Sequence, residues 1–408
     1  MVKKGTKMLT NEKINEVLGV EDSYKAPENL MEILLEDEKR QQVFNEFLSI
    51  TSDLSKEWFQ GYFEAEHADR KNKKQDFTPS SASQICAEIV GASDRYFEAA
   101  AGTGGMMIQY WNNNQNAFFE VEELSDRAIP FLLFNMSIRK MTGIIRHGDS
   151  LKREFKEIYN IEKGQIQKSA DRPSNLKANV VMNPPFSAQW EQKNDERFNN
   201  FGLAPKSKAD FAFLLHGYHH LKSSGRMAII LPHGVLFRGA AEGKIRKTLL
   251  ENGAIDAVIG LPSNIFYGTS IPTTIIVLQK DRTTKDVLFI DASNDFTKEK
   301  NQNSLEEKHI KKILDVYRKR ESVEKYAHVA SFENIEENDF NLNIPRYVDT
   351  FEEEEAVDIL EVMREMIEID KQIVEAESDL CEQIGQLTSQ TEDMSAIIEA
   401  SRKLFQKN

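Results

Sequence analysis

From residue 76 to about 290, short apolar runs alternate with longer amphipathic stretches, and this alternation restricts the fold more than any other feature of the chain. Strand-length apolar runs separated by helix-length segments predict an α/β architecture, a Rossmann-like doubly wound, mostly parallel sheet with helices on both faces. The predicted strands cover 95–98, 117–121, 143–146, 179–182, 226–231, 254–260, 274–279 and 287–290. Ligands of such sheets bind beyond the carboxyl ends of the strands, so the residues following each run carry the chemistry. Two polar stretches, 154–177 and 189–207, break the alternation and are expected as long loops.

Helical segments flank the sheet region. Residues 1–75 place Leu30, Ile33, Leu34, Val43, Phe44, Phe47 and Leu48 at three- and four-residue spacings, predicting an N-terminal helical domain. It ends in a basic stretch with Arg70, Lys71, Lys73 and Lys74, which reads as a solvated connector in preference to a DNA contact. The sheet domain is expected over 76–295 and a helical or irregular connector over 296–350. Beyond 351, Ile359, Met363, Met366, Asp370, Ile373, Glu377, Leu380, Ile384, Leu387, Thr391, Met394 and Ile398 follow a 4,3 spacing, and nine of these twelve are apolar. That pattern predicts a long coiled-coil-like helix whose seam is covered by the body or by a partner helix.

Charge separates the same parts. The formal net charge is −14, of which residues 351–408 hold 16 acids against 5 bases, so the body is nearly neutral and the tail acidic. Nucleic-acid binding by bulk electrostatics is therefore not expected of this chain by itself. Only Cys86 and Cys381 are present, far apart, which excludes a disulfide scaffold and a cysteine zinc site. No apolar leader or membrane-length run is found, so a cytoplasmic protein is expected.

Three predicted strand ends carry unusual residues. The first run enters Glu98-Ala99-Ala100-Ala101-Gly102-Thr103-Gly104-Gly105, a turn whose glycines let the backbone approach a bound molecule. A dinucleotide fold wants Gly-x-Gly-x-x-Gly, but the sixth position of that frame is Met107, which favours another nucleotide-like ligand. The second run ends in Glu122-Glu123-Leu124, where a carboxylate can accept from both hydroxyls of a ribose. The third ends in Gly148-Asp149-Ser150, with Asp149 suited to an adenine amino group. One such acid is an ordinary cap; two at successive strand tips point to a ligand.

The fourth run ends in Asn183-Pro184-Pro185-Phe186. The prolines remove backbone donors, so carbonyls face the cleft, and Phe186 offers a flat face for a planar ring. Two acceptors, the Asn183 side-chain oxygen and the Pro184 carbonyl, suit an exocyclic amine. Accepting both its N–H bonds pulls the nitrogen toward tetrahedral geometry and frees its lone pair to attack an electrophilic methyl group. A base within a duplex would first have to be flipped out, at a cost of a few kcal/mol. His216, His219 and His220 read as packing residues, because no carboxylate stands at ligand spacing near them, and no metal is expected.

The ordered set Phe77-Thr78-Pro79, Glu98 to Gly105, Glu123, Asp149, Asn183 to Phe186 and Leu231-Pro232 resembles the S-adenosylmethionine-dependent adenine-N6 DNA methyltransferases. The stretches 209–216, 225–238 and 260–274 resemble the modification (M) subunit of type I restriction-modification systems in particular. The resemblance is close over about residues 75–290 and general in the flanks. It implies that Gln75, Asp76, Phe77, Thr78, Pro79 and Ser80 line the methionine end of S-adenosyl-L-methionine, with Glu98, Ala100, Gly102, Thr103, Gly104 and Gly105 alongside. It further implies Glu123 on the ribose, Asp149 and Ser150 at the adenine, Asn183, Pro184, Pro185 and Phe186 in catalysis, and Phe186 with Phe266 against the target base. The sequence departs from the family pattern at Glu98-Ala99, where Asp-Pro is usual, and at Asp76, where an aromatic is common.

Expected partners, from the resemblance, are DNA, a specificity (S) subunit that chooses the target, a second M subunit and, for restriction, a nuclease (R) subunit. The alternatives are a stand-alone N6-adenine enzyme, a methyltransferase acting on a protein glutamine or an RNA guanine amine, and a cofactor-binding scaffold without catalysis.

Overall fold

Among the described residues the chain opens with α1 (Asn11–Leu18), α2 (Ala26–Leu35), α3 (Asp37–Ile50) and α4 (Gln60–Glu66). The computed structural model describes residues 9–66, 78–170, 177–266, 269–300, 302–350, 358–386 and 395–405; the basic stretch after α4 lies outside them. There follow α5 (Ser80–Val90), β1 (Arg95–Ala99), α6 (Gly105–Asn113), β2 (Phe118–Glu123), α7 (Ile129–Ile138) and β3 (Thr142–Asp149). The chain continues through β4 (Glu154–Glu162), β5 (Gln165–Ser169), β6 (Asn179–Met182), α8 (Asp210–His220), β7 (Arg226–Pro232), α9 (Ala240–Glu251), β8 (Ile255–Gly260), β9 (Thr273–Gln279) and β10 (Val287–Asp291). A small ribbon, β11 (Thr297–Lys298) with β12 (Asn303–Ser304), precedes α10 (Glu307–Lys319), β13 (Ala327–Ala330) and α11 (Phe332–Glu337).

Eleven strands form one sheet in the order β13-β10-β8-β9-β7-β6-β1-β2-β3-β4-β5. Strands β3, β2, β1, β6 and β7 pair in parallel, while β9 runs antiparallel between β7 and β8. The central strands are buried along almost their whole length, as helices on both faces require. All eight predicted strands are present.

Two expectations are corrected. Residues 154–169, expected within a loop, form the antiparallel hairpin β4–β5 that extends the sheet beyond β3. Its period-two pattern is broken by the adjacent Ile158 and Tyr159, both buried, and its outer positions are polar. Residues 189–207 do lack regular structure. The segment 296–350 also adds to the sheet: β13 pairs with β10, and Tyr347 stacks on Phe289 with ring centroids 3.9 Å apart.

The N-terminal helices share a core with the sheet's helices. Phe134 of α7 meets Phe44, Phe47 and Phe59 at centroid distances of 5.0, 4.9 and 4.9 Å. Arg139, just past α7, donates to the carbonyls of Leu54 and Lys56 at 2.8 and 2.6 Å, closing that packing with buried hydrogen bonds. Residues 1–350 make one compact unit and 351–408 a second.

Within the second unit the expected single long helix is two helices that pack together, α12 (Ile359–Gly385) and α13 (Ser395–Phe405). Asp358 caps α12 by accepting from the N–H groups of Leu360 and Glu361, and the helix stops at the tail's one glycine, Gly385. Leu387, Thr391 and Met394 of the expected seam lie outside the described residues. Ile359, Met363, Met366 and Ile373 stay largely exposed despite α13. Among the described residues no helix is long and apolar enough to cross a membrane.

Truncating Phe134 to Ala removes the ring at the centre of this shared core and is expected to cost about 3–5 kcal/mol. Urea unfolding of the wild type followed at Trp58 in the N-terminal region and by far-ultraviolet circular dichroism should give one transition, displaced as a whole in the variant. Separate transitions would contradict a common core.

Candidate active site

The two neighbours of β1 are reached by the chain in opposite directions: β2 follows at once, whereas β6 comes only after β3, β4 and β5. Loops leaving the ends of β1 and β6 therefore diverge and open a crevice at the carboxyl end of the sheet. A cleft of about 930 Å³, partly open to solvent, lies there. Its walls include Thr78, Glu98, Ala100, Gly102, Gly105, Glu123, Asp149, Ser150, Asn183 and Pro185.

The β1 turn is held in an unusual conformation by the tip of β2. Ala100 and Gly102 have φ of 59° and 57°. The Ala101 N–H donates to the Glu122 carbonyl at 3.0 Å, and the Gly102 N–H to Glu123 Oε2 at 2.8 Å. Glu123 Oε1 accepts from the Ser125 N–H at 2.7 Å. The carboxylate is thereby aimed by two backbone amides at the cleft wall. Beneath the turn, the Tyr96 hydroxyl donates to Glu98 Oε2 at 2.6 Å, and burial pushes the Glu98 carboxyl up to about 8.

Gly104 corrects the expectation that all three glycines admit a ligand. A Cβ there would meet Met107 Cε at 2.8 Å and Leu132 Cδ1 at 3.0 Å, which face the core, and its φ is +96°. Helix packing and a left-handed backbone explain this glycine. A Cβ on Gly105 would meet only Gln60 Oε1, at 4.0 Å, so this is the glycine that leaves the cleft open. Thr103 is buried and does not reach the cleft wall; its carbonyl accepts from Asn135 Nδ2 at 2.8 Å.

At the tip of β3, Asp149 Oδ1 accepts from the N–H groups of Leu151 and Lys152 at 2.9 and 3.0 Å. It acts as a turn cap and lines the cleft at once. The loop over 189–207 holds this turn from behind. Buried Arg197 pairs with both oxygens of Asp195 at 2.8 and 2.6 Å and donates to the Ser150 and Leu151 carbonyls at 3.0 and 2.6 Å. Its Nη1 also lies 3.0 Å from His216 Nδ1, and His216 Nε2 lies 2.8 Å from Glu122 Oε2. Burial and the Arg197 cation hold His216 well below the ordinary imidazole range, so the ring is neutral. Arg197 donates only, which makes Nδ1 the acceptor and Nε2–H the donor to Glu122. Glu122, His216 and His220 offer ligand atoms within 4.8 Å of one another, a carboxylate that spacing along the chain did not reveal. The Glu122–His216 hydrogen bond and the adjacent guanidinium account for this trio as a post that joins β2, α8 and the loop.

At the end of β6, Asn183 Nδ2 donates to Thr78 Oγ1 at 2.7 Å, which turns the amide oxygen into the acceptor end. Behind the prolines, the Ser187 N–H and hydroxyl donate to Asp210 Oδ1 and Oδ2 at 2.7 and 3.2 Å. Asp210 is buried and paired with Arg238 at 2.6 Å, so the turn is braced by an ion pair on α8 and the segment after β7. Phe186 and Phe266 come together edge to face, centroids 5.5 Å apart, with Phe266 buried. Pro184 is buried, and Pro79 and Ser80 start α5 away from the cleft wall. Gln75, Asp76 and Phe77 lie outside the described residues.

Sequence reasoning missed Gln60, Met106, Leu124, Ser125 and Phe213 on the wall. Leu124 and Ser125 follow a strand tip already singled out, and Phe213 sits in a stretch noted only for its resemblance. Nothing local marks Gln60, which arrives from the N-terminal helices. The arrangement can hold a nucleoside by its hydroxyls and amino group, with the oriented Asn183 amide on the same wall at the end of β6.

A family model described as N-6 DNA Methylase matches residues 55–356. The type I restriction enzyme MpnII methylase subunit of Mycoplasma pneumoniae is 33% identical over 310 residues, covering 71% of this chain and 55% of that protein. The type I restriction enzyme MjaVIII methylase subunit of Methanocaldococcus jannaschii is 31% identical over 335 residues, covering 76% of this chain and 55% of its own. The chain thus spans about half the length of these curated relatives. Among solved structures, a type I restriction-modification system methyltransferase subunit from Streptococcus thermophilus matches with a TM-score of 0.65 and 36% identity, covering 85% of this chain and 82% of that one.

Glu98 provides a check on the geometry of the turn. A carboxyl raised to about 8 favours the folded state when protonated, so its contribution is complete below the ordinary value of 4.5 and is lost as pH rises through about 8. Glu98→Gln removes that slope. The stability of the variant relative to wild type, measured by thermal melts, should increase from pH 5 to pH 9; a difference that stays constant with pH would contradict a buried carboxyl.

Proposed function

The chain belongs to the N-6 DNA methylase family, and on that premise we propose that it transfers a methyl group from S-adenosyl-L-methionine to N6 of adenine in DNA. In this reading it is the methylation subunit of a type I restriction-modification complex, with the target chosen by a separate specificity subunit. The observation that carries the proposal is the Asn183 amide, fixed by its hydrogen bond to Thr78 Oγ1 at the end of β6, on the wall of a cleft that also holds Glu123 and Asp149 at the ends of β2 and β3.

The donor set fits the cofactor: Glu123 accepts from the ribose hydroxyls, Asp149 from the adenine amino group, and the Gly105 end of α6 leaves room for the amino-acid portion. When bound, S-adenosylmethionine would supply an electrophilic methyl group on a sulfonium, the S–C electron pair going to sulfur as the C–N bond forms and one N6 proton being lost to water. Asn183 Oδ1 and the Pro184 carbonyl accept the two N6–H bonds and localise the lone pair on nitrogen. The Asp210–Ser187 brace keeps those acceptors in place during transfer. Phe186 provides the face on which the flipped base stacks, offsetting part of the unstacking cost. No strong base is required, because the proton becomes acidic only as the new bond forms.

A partner is needed to read DNA in this scheme. The body is nearly neutral and the acidic tail exposes an apolar stripe on α12, suited to another helix and unsuited to phosphate. We assign the tail to assembly with the specificity subunit or a second M subunit.

Tritiated methyl transfer to DNA, with protein and RNA as competing acceptors, tests the reaction. Asn183→Ala should lower transfer by about 10²–10³-fold while leaving cofactor affinity nearly unchanged. Equal transfer by variant and wild type would remove Asn183 from the mechanism, and robust site-specific transfer by the chain alone would overturn the partner dependence. Deleting residues 351–408 should impair assembly, followed by size-exclusion chromatography, and preserve cofactor binding; the opposite pattern would refute the tail assignment.

A further inference from the structure

The ionisable side chains on the described walls of the cleft are Glu98, Glu123 and Asp149, all acids. A ligand that ends in an α-amino acid brings a carboxylate into this surrounding, and on the described walls only neutral donors can meet it. The strand order gives that end its place. Asp149 stands on β3, Glu123 on β2 and the open Gly105 beyond β1, so a nucleoside held by the first two extends its 5′ substituent over the start of α6.

One side chain from outside the sheet stands there. Gln60 lines the cleft with Thr78, Gly105 and Met106; its Nε2 lies 3.4 Å from the Thr78 carbonyl, and its Oε1 is the atom a Gly105 Cβ would approach at 4.0 Å. Its backbone is anchored. Glu57 accepts from the Gln60 N–H and, through Oε1, from Asn135 Nδ2 at 2.7 Å, and that same Nδ2 donates to the Thr103 carbonyl at 2.8 Å. Arg139 in turn donates to Asn135 Oδ1 at 2.9 Å. These bonds tie Gln60 to the β1–α6 turn by a buried polar path, so its carboxamide sits on a fixed support.

We propose that Gln60 binds the amino-acid end of the cofactor, its carboxamide donating to the α-carboxylate and accepting from the α-ammonium, so that the N-terminal helices supply one wall of the cofactor site. A neutral amide can serve both poles of a zwitterion, which a carboxylate or an ammonium cannot. The inference rests on the proposed use of S-adenosylmethionine.

Calorimetry on the full chain with three ligands tests it: S-adenosylmethionine, S-adenosylhomocysteine, and 5′-deoxy-5′-methylthioadenosine, which lacks the amino-acid end. Gln60→Ala should weaken the first two by about tenfold and leave the third unchanged. Gln60→Glu, of the same shape, should weaken the first two further through repulsion of the carboxylate, again sparing the third. Equal weakening of all three ligands, or of none, would overturn the role of Gln60. If the wild type binds none of them, the proposed function fails first, and circular dichroism of both variants separates that case from loss of fold.

Discussion

The parallel pairing of β1 with β2 on one side and β6 on the other is the constraint from which the site follows. Three successive strands end at the same level, and their loops cannot fill the gap between β1 and β6 because they leave in opposite directions. The acids of β2 and β3 and the amide of β6 then face one space. Among the described wall residues of the cleft, the left-handed conformations are those of Ala100 and Gly102 in the β1 turn. That strain is held by two hydrogen bonds to β2, one of them to Glu123, so a carboxylate on the cleft wall is also the one that shapes the turn.

Buried polar groups behind the cleft repeat this economy. Arg197, Glu122 with His216, and Asp210 are buried with several partners each, Asp210 being matched by the half-buried Arg238, the condition under which buried charge does not destabilise. Each anchors a different loop: the Asp149 turn, the crossing of α8, and the turn after Asn183. Removing one partner leaves the other desolvated, so the loops are rigid because their fastenings are costly to open.

Most of the central sheet was legible because short, mainly apolar runs recur between helix-length stretches, even where an acid such as Glu120 or Asp256 interrupts one, and Asn183 to Phe186 was legible because two prolines after a buried strand have few other uses. The hairpin β4–β5 was not. It lies at the sheet's edge, buries one face only, and carries Ile158 next to Tyr159, which destroys the alternation a reader looks for. The tail's 4,3 spacing runs through the break after Gly385, since apolar spacing records which face is sticky and not where the backbone folds back. Gln60 left no local trace, because its place depends on Asn135 and Arg139, residues some eighty positions away whose role is to hold Glu57 and the 54–56 backbone.

The acidity of the cleft bears on turnover as well as on binding. With Glu98 protonated under neutral conditions, Glu123 and Asp149 remain as its charged wall groups among the described residues. In the proposed reaction such a wall would favour a ligand carrying a sulfonium over the thioether left after transfer, so the acids that gather the cofactor would hold the spent nucleoside less tightly.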